Sequence, residues 1–124
     1  MDARPQRLVH IVDDDAAVRD SLRALLESCG LAVCDYASGR DFLDHGADSQ
    51  AGCVVLDIHM PGLSGLELLD ILRAKHFALP VIVITGRSDP ALRLRARVAG
   101  AVAVFDKPVD EAQLLGAIEG AWAH

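Results

Sequence analysis

Polar residues able to do chemistry stand where four short apolar runs of this sequence end. Residues 53–56 run into Asp57, and residues 8–12, apolar except for His10, run into Asp13, Asp14 and Asp15. Residues 81–84 run into Thr85, and residues 102–105 are closed by Asp106, Lys107 and Pro108. Short, uniformly apolar runs read as strands buried on both faces, as in a parallel sheet. In such a sheet the carboxyl ends of the strands lie on one edge, and ligands bind outside that edge. Asp13, Asp14 and Asp57 then converge. At 4 Å a pair of such charges repels by about 1 kcal/mol in water and by about 4 kcal/mol at an effective dielectric near 20. A hard divalent cation offsets that repulsion, and Mg²⁺ typically takes one or two carboxylates and keeps several waters. Lys107 adds a fixed positive charge and Thr85 a hydroxyl donor. The set suits transfer of a phosphoryl group to a carboxylate, which needs an in-line nucleophile, a cation and donors for the equatorial oxygens. In that scheme Asp57 is the nucleophile, Asp13 and Asp14 hold Mg²⁺, and Thr85 and Lys107 hold the phosphoryl oxygens. Taken singly, an aspartate after a strand is more often a helix cap, as expected for Asp15, and a threonine or lysine there more often belongs to a turn or the surface. The weight lies in all of them standing at strand ends.

The elements that must position them follow in strict order. After residues 8–12 comes a helix with Val18, Leu22, Leu25 and Leu26 on one face and Gly30 as its stop. Residues 32–37 form a short strand, polar at Asp35, which suits an edge. Ser38 caps a short helix bearing Phe42 and Leu43, and residues 46–52 form a polar loop. Met60, Pro61 and Gly62 turn the chain after the Asp57 strand. Ser64 and Glu67 then make a capping box for a helix with Leu66, Leu69 and Leu72. Asp89 and Pro90 open the helix after Thr85, and Asp110 with Gln113 opens the last one, which carries Leu114, Leu115, Ile118 and Trp122. Residues 92–98 alternate apolar and charged, the period of a strand. A helix is nevertheless expected there, because the segment lies between a cap and Gly100 and must cross between two parallel strands. Strand and helix alternate five times, which gives an α/β fold with a parallel sheet covered on both faces.

The 124 residues fit one domain with a real core. A formal charge of −6 argues against nucleic-acid binding by this domain itself. No apolar stretch is long enough to span a membrane, and the first residues lack the apolar centre of a signal peptide, so a cytoplasmic location is the default expectation. Cys29, Cys34 and Cys53 show no paired spacing and are expected to be reduced, buried thiols. The five histidines show no metal-ligand spacing.

These residues match a known pattern. Residues 11–15 (Ile-Val-Asp-Asp-Asp), 56–65 (Leu-Asp-Ile-His-Met-Pro-Gly-Leu-Ser-Gly) and 83–86 (Val-Ile-Thr-Gly), with Gly100 and Ala101 leading to Lys107 and Pro108, resemble a response-regulator receiver domain, the CheY-like phosphoacceptor of two-component signalling. The resemblance covers about residues 7–122, after a tail over residues 1–6. It implies a doubly wound five-stranded sheet of order 2-1-3-4-5. It also implies phosphorylation of Asp57 by a sensor histidine kinase or phosphotransfer protein, in a domain that promotes its own phosphorylation and dephosphorylation rather than acting as an enzyme on other substrates. Mg²⁺ would be held by Asp14, Asp57 and the backbone carbonyl of His59, with Asp13 acting through water. The Lys107–Pro108 peptide would be cis, aiming the lysine inward. His59 and Arg87 occupy positions that flank the path of the attacking water. Thr85, Gly86 and Asp89, with the stretch from Gly100 to Pro108, are most similar to FixJ-type transcription regulators, which usually carry a DNA-binding domain after the receiver. The expectation is a stand-alone receiver or the receiver part of a longer regulator.

Two departures from the pattern bear on signalling. Where the family commonly has an aromatic switch residue, three positions before the lysine, this chain has Val104, followed by Phe105. The helix after Thr85 carries Arg93, Arg95 and Arg97 where a further apolar residue is expected. Readout is expected on the face formed by that helix, the last strand and the last helix. A phosphorylation-dependent homodimer through residues 90–122 would use it, with the arginines pairing with acidic residues such as Asp110 and Glu111. The leading rival is a small haloacid-dehalogenase-like phosphatase with Asp13 as nucleophile and Asp15 as general acid, but it leaves Asp57 without a role. A flavodoxin is disfavoured because three aspartates after the first strand repel a phosphate. A pseudo-receiver that only binds partners is disfavoured by the completeness of the pocket.

Overall fold

The computed structural model describes residues 8–47, 52–87 and 89–122; the tail expected over residues 1–6 and most of the loop expected over 46–52 lie outside them. Five strands alternate with five helices: β1 (Leu8–Val12), α1 (Ala16–Ser28), β2 (Ala32–Tyr36), α2 (Gly39–His45), β3 (Cys53–Asp57), α3 (Gly65–Ala74), β4 (Val81–Thr85), α4 (Pro90–Val98), β5 (Ala101–Asp106) and α5 (Glu111–Trp122). The sheet has the order β2-β1-β3-β4-β5, and each neighbouring pair is parallel. β3 and β4 are buried at every residue, as two-sided coverage of central strands requires.

Because side chains alternate along a strand, the sheet sends two sets of residues into two cores. Val12, Val54, Leu56, Val83 and Val104 face one layer, packed with Phe42, Leu68, Leu69, Leu72 and Ala96 of α2, α3 and α4. Val9, Ile11, Val55, Ile82 and Ile84 face the other, packed with Leu22, Leu26, Leu114 and Ile118 of α1 and α5. In the β4–β5 ladder Val81 pairs with Ala101 but Ile82 pairs with Ala103, so Val102 is an extra residue. That bulge turns Val102 out of the ladder, and it is half exposed.

The helix starts follow the expected chemistry. Asp15 caps α1 through Ala17 and Val18 N–H, Ser38 caps α2 through Asp41 N–H, and Asp89 caps α4 through Leu92 N–H. Ser64 and Glu67 form a complete capping box, and the two hydrogen bonds from the Ser64 backbone and hydroxyl side hold the Glu67 carboxyl below its usual range. Gly30 follows the C-cap of α1, and its φ of 83° favours glycine. Residues 90–98 are helical despite their strand-like alternation.

The expectation for the cysteines is corrected in two cases. Cys53 is buried, and burial pushes its thiol up to about 12, but Cys29 and Cys34 are exposed. Cys29 is the C-cap of α1. Cys34 lies in the middle of the edge strand, and only Tyr36, at the strand's carboxyl end, is buried there.

Candidate functional site

The carboxyl ends of β1, β3, β4 and β5 deliver the candidate residues to one edge. Asp57 is the last residue of β3, and its ladder partner on β4 is Ile84, so Thr85 stands one residue further along the neighbouring strand. Thr85 in turn pairs with Asp106 on β5, and the Lys107 N–H donates to the Thr85 carbonyl at 2.8 Å. This bond extends the ladder past its end and fixes where the Lys107 side chain begins. The Lys107–Pro108 peptide is cis.

Lys107 Nζ lies 3.1 Å from Asp13 Oδ2 and 3.4 Å from Asp57 Oδ1. One ammonium therefore bridges two carboxylates that are both almost fully buried. Burial alone would lower the lysine's pKa, but the hydrogen bond and charge of Asp13, with the charge of Asp57, outweigh it and raise the pKa. Burial and then the charge of Asp13 push the Asp57 carboxyl above its usual range, against the pull of Lys107 and of the His59 N–H. Asp57 is thus an incompletely compensated buried carboxylate in a cleft, the condition in which a nucleophile or ligand site is sought.

Asp13, Asp14 and Asp57 each offer an oxygen, and these atoms lie within 4.8 Å of one another. Three hard oxygen donors at that spacing fit Mg²⁺ by size and donor type. Asp15, by contrast, spends its carboxylate as the α1 cap. It is not available as the general acid that the dehalogenase-like reading requires, and that reading is set aside.

The rim is tied across the cleft. His59, with the proton on Nε2, donates to the Arg87 carbonyl at 3.3 Å, linking the β3–α3 and β4–α4 loops. The Arg87 N–H donates to the fully buried Thr85 hydroxyl at 3.1 Å. Val104 and Phe105 part company: Val104 is buried toward α4, while Phe105 packs in the layer of α1 and α5. Phe105 pairs with Ile84 and shares its face, opposite to that of Thr85. Arg93 is turned inward, donating to the Val104 carbonyl at 2.8 Å and lying 3.5 Å from Asp106.

One participant was not apparent from the sequence. A Cβ at Gly65 would lie 2.5 Å from the Asp57 carbonyl and 2.6 Å from Ile58 Cα, so glycine lets the start of α3 press against the backbone that carries Asp57. A glycine directly after a capping serine was the available signal.

Residues 9–119 match the family described as response regulator receiver domain. The chain is 48% identical over 110 residues to the transcriptional regulatory protein FixJ of Azorhizobium caulinodans, covering 89% of this chain and 52% of that protein. The crystal structure of FixJ-N superposes with a TM-score of 0.89 at 40% identity, covering 98% of this chain and 97% of that one. Full-length FixJ from B. japonicum superposes with a TM-score of 0.87 at 38% identity, covering 97% of this chain and 59% of that one. The chain spans about half the length of the curated relatives it matches.

Proposed function

This chain belongs to the response regulator receiver domain family, and from that premise we propose that Asp57 accepts a phosphoryl group from a sensor histidine kinase or phosphotransfer protein, with Mg²⁺ required. The observation that carries the reading is the single ammonium of Lys107 held between Asp13 and Asp57 beside a third carboxylate, Asp14. A carboxylate oxygen of Asp57 attacks phosphorus, the P–N bond of the donor phosphohistidine breaks, and an acyl phosphate forms. Lys107 and the Thr85 hydroxyl donate to the phosphoryl oxygens. Thr85 can donate while it keeps accepting from the Arg87 N–H, since a hydroxyl accepts and donates at once. Mg²⁺ held by Asp13, Asp14, Asp57 and the His59 carbonyl would neutralise charge on the transferring group. Water later attacks the same phosphorus and restores the carboxylate, and the His59–Arg87 tie stands beside that approach and sets how long the phosphoryl group lasts.

The output proposed is transcriptional, exerted through a further domain of a longer regulator, by analogy with the transcriptional regulatory protein FixJ of A. caulinodans. A phosphorylation-dependent homodimer through residues 90–122 is the proposed intermediate. It is supported by the exposed side chains of Leu94, Val98 and Val102 on α4 and β5.

Acetyl phosphate with Mg²⁺, followed by intact-mass analysis and site mapping, tests the reading. One phosphoryl group on Asp57, lost in Asp57→Asn and in chelator, is the expected result, with a changed half-life in the His59→Ala/Arg87→Ala variant. Label on Asp13, or undiminished labelling of Asp57→Asn, would overturn it.

A further inference from the structure

The turn between β1 and α1 carries two of the three clustered carboxylates, so whatever holds its backbone holds the cluster. Asp13 is fixed at each polar atom. Its N–H donates to the Tyr36 carbonyl at 3.1 Å, Oδ1 accepts the Asp15 N–H at 2.9 Å, and Oδ2 accepts from Lys107 at 3.1 Å. Its carbonyl lies after the last residue of β1 and before the first of α1, and it accepts from Arg19 Nη1 at 2.7 Å. The same guanidinium has Nε 3.9 Å from Asp35 Oδ2 on β2. A distance of 2.7 Å is that of a charge-assisted hydrogen bond, whereas 3.9 Å is outside hydrogen-bond range. Arg19 therefore serves the turn first and the ion pair second. Arg23 is its counterpart without the turn, reaching Asp35 at 3.3 Å and the Val33 carbonyl at 3.2 Å.

We propose that Arg19 is a positioning residue for the divalent-cation site, acting through the Asp13 carbonyl to aim Asp14; the proposal rests on the phosphoacceptor reading. The peptide between Asp13 and Asp14 is a rigid plane, so fixing the direction of its carbonyl fixes the bond from which Asp14 departs. Asp14 is the exposed member of the trio, and its direction is set by its backbone more than by packing. Only a long planar fork reaches from α1 to that carbonyl while leaning on Asp35. Groups that orient metal ligands from behind typically change metal affinity by about 10- to 100-fold when removed.

The test uses Mn²⁺ as a paramagnetic probe, counted by electron paramagnetic resonance with Mg²⁺ as competitor, on the chain without a phosphoryl donor. Wild type binds Mn²⁺ and Asp14→Asn does not. Arg19→Met weakens binding about tenfold or more, while Arg23→Met, which removes the shorter ion pair to Asp35 without touching the turn, binds as wild type does. Arg19→Lys, which keeps a donor for the carbonyl, falls between wild type and Arg19→Met, and its thermal melting in chelator matches that of Arg23→Met. If Arg19→Met does not fold, a loss of affinity in Arg19→Lys alone carries the proposal, and wild-type affinity there sinks it. Equal affinity in wild type and a folded Arg19→Met, or an equal loss in Arg23→Met, overturns the proposal and leaves the phosphoacceptor reading standing. A wild type that binds neither Mn²⁺ nor Mg²⁺ overturns both.

Discussion

Asp57 is kept unstable in its ionised form, and that has a consequence for stability as well as reactivity. Burial and the charge of Asp13 raise its pKa, and Lys107 recovers only part of the difference. Between the pKa of an ordinary unfolded carboxylate and that of folded Asp57, the native state binds more protons than the unfolded one, so stability falls as pH rises through that window. Without divalent cation, Asp57→Asn should melt higher than wild type at pH 7, and the two should converge as pH falls toward 4, measured by Tm in chelator. Saturating Mg²⁺ should reverse the order, because it binds the wild-type native state and stabilises it by about 2.7 kcal/mol at a hundredfold excess over Kd. A wild type that melts above Asp57→Asn in chelator at pH 7 would contradict the electrostatics. The sequence displayed Asp13, Asp14, Asp57, Thr85 and Lys107 because apolar runs mark strand ends, and a parallel sheet puts those ends together. It did not display Gly65, whose role is a close approach to backbone around Asp57, or Arg19, whose partner is a carbonyl. Backbone acceptors have no letter in a sequence.

At the scale of an element, α4 is where pattern and fold disagree. Apolar residues at every second position, wound on a period of 3.6, split between two faces, Leu92 with Ala96 and Leu94 with Val98. Ala96 is buried, but Leu94 and Val98 are 63% and 65% exposed. A helix with so little buried apolar surface needs other restraints, and arginines supply them. Arg73 of α3 donates to the Val98 carbonyl at 2.8 Å, at the C-terminal end of α4, and Arg93 of α4 donates to the Val104 carbonyl on β5. Each is a charged donor on a neutral acceptor, worth about 1.5 kcal/mol at the lower end of such bonds, fitting for half-exposed side chains. Arg93→Ala should therefore speed hydrogen exchange about tenfold in residues 90–98, since that energy is a factor of about ten in a local opening equilibrium. α1 and α5 should keep their wild-type exchange. Acceleration spread evenly over the molecule would mean that Arg93 supports the whole fold and not α4. The helix itself was legible from its cap and from the need to cross between parallel strands. The exposure of Leu94 and Val98 follows once the alternating sequence is wound as a helix, but the inward turn of Arg93 was not legible, because it again ends on a carbonyl.

Across the whole molecule, the site and the α4–β5 face are joined by short steps. Thr85 pairs with Asp106, Lys107 N–H bonds to the Thr85 carbonyl, and Arg93 spans from α4 to Val104 and Asp106. A phosphoryl group that drew in Thr85 and Lys107 would pull on the end of β5, where Arg93 of α4 is fastened. Val104 is buried and stiff at χ1, and Phe105 faces the other layer, so a shift started by phosphorylation would pass through the β5 backbone and the Arg93 bond rather than through a swinging aromatic ring. The receiving surface is apolar: Leu94 and Val98 one turn apart on α4, and Val102 turned outward by the bulge in β5. Exposed apolar side chains one turn apart on α4 are what the proposed homodimer would cover. Replacing Leu94 and Val98 together by glutamate should leave the fold within about 0.5 kcal/mol per site, since both side chains are already in water. Phosphorylation of Asp57 should continue at the wild-type rate, because neither residue reaches the cleft. Self-association of the activated chain, followed by sedimentation with beryllofluoride in place of the phosphoryl group, should be lost, because two buried carboxylates per protomer would lack partners. An activated Leu94→Glu/Val98→Glu variant that dimerises as wild type does would move the interface off α4. A wild type monomeric in both states would remove the homodimer and leave this face to a partner of another kind.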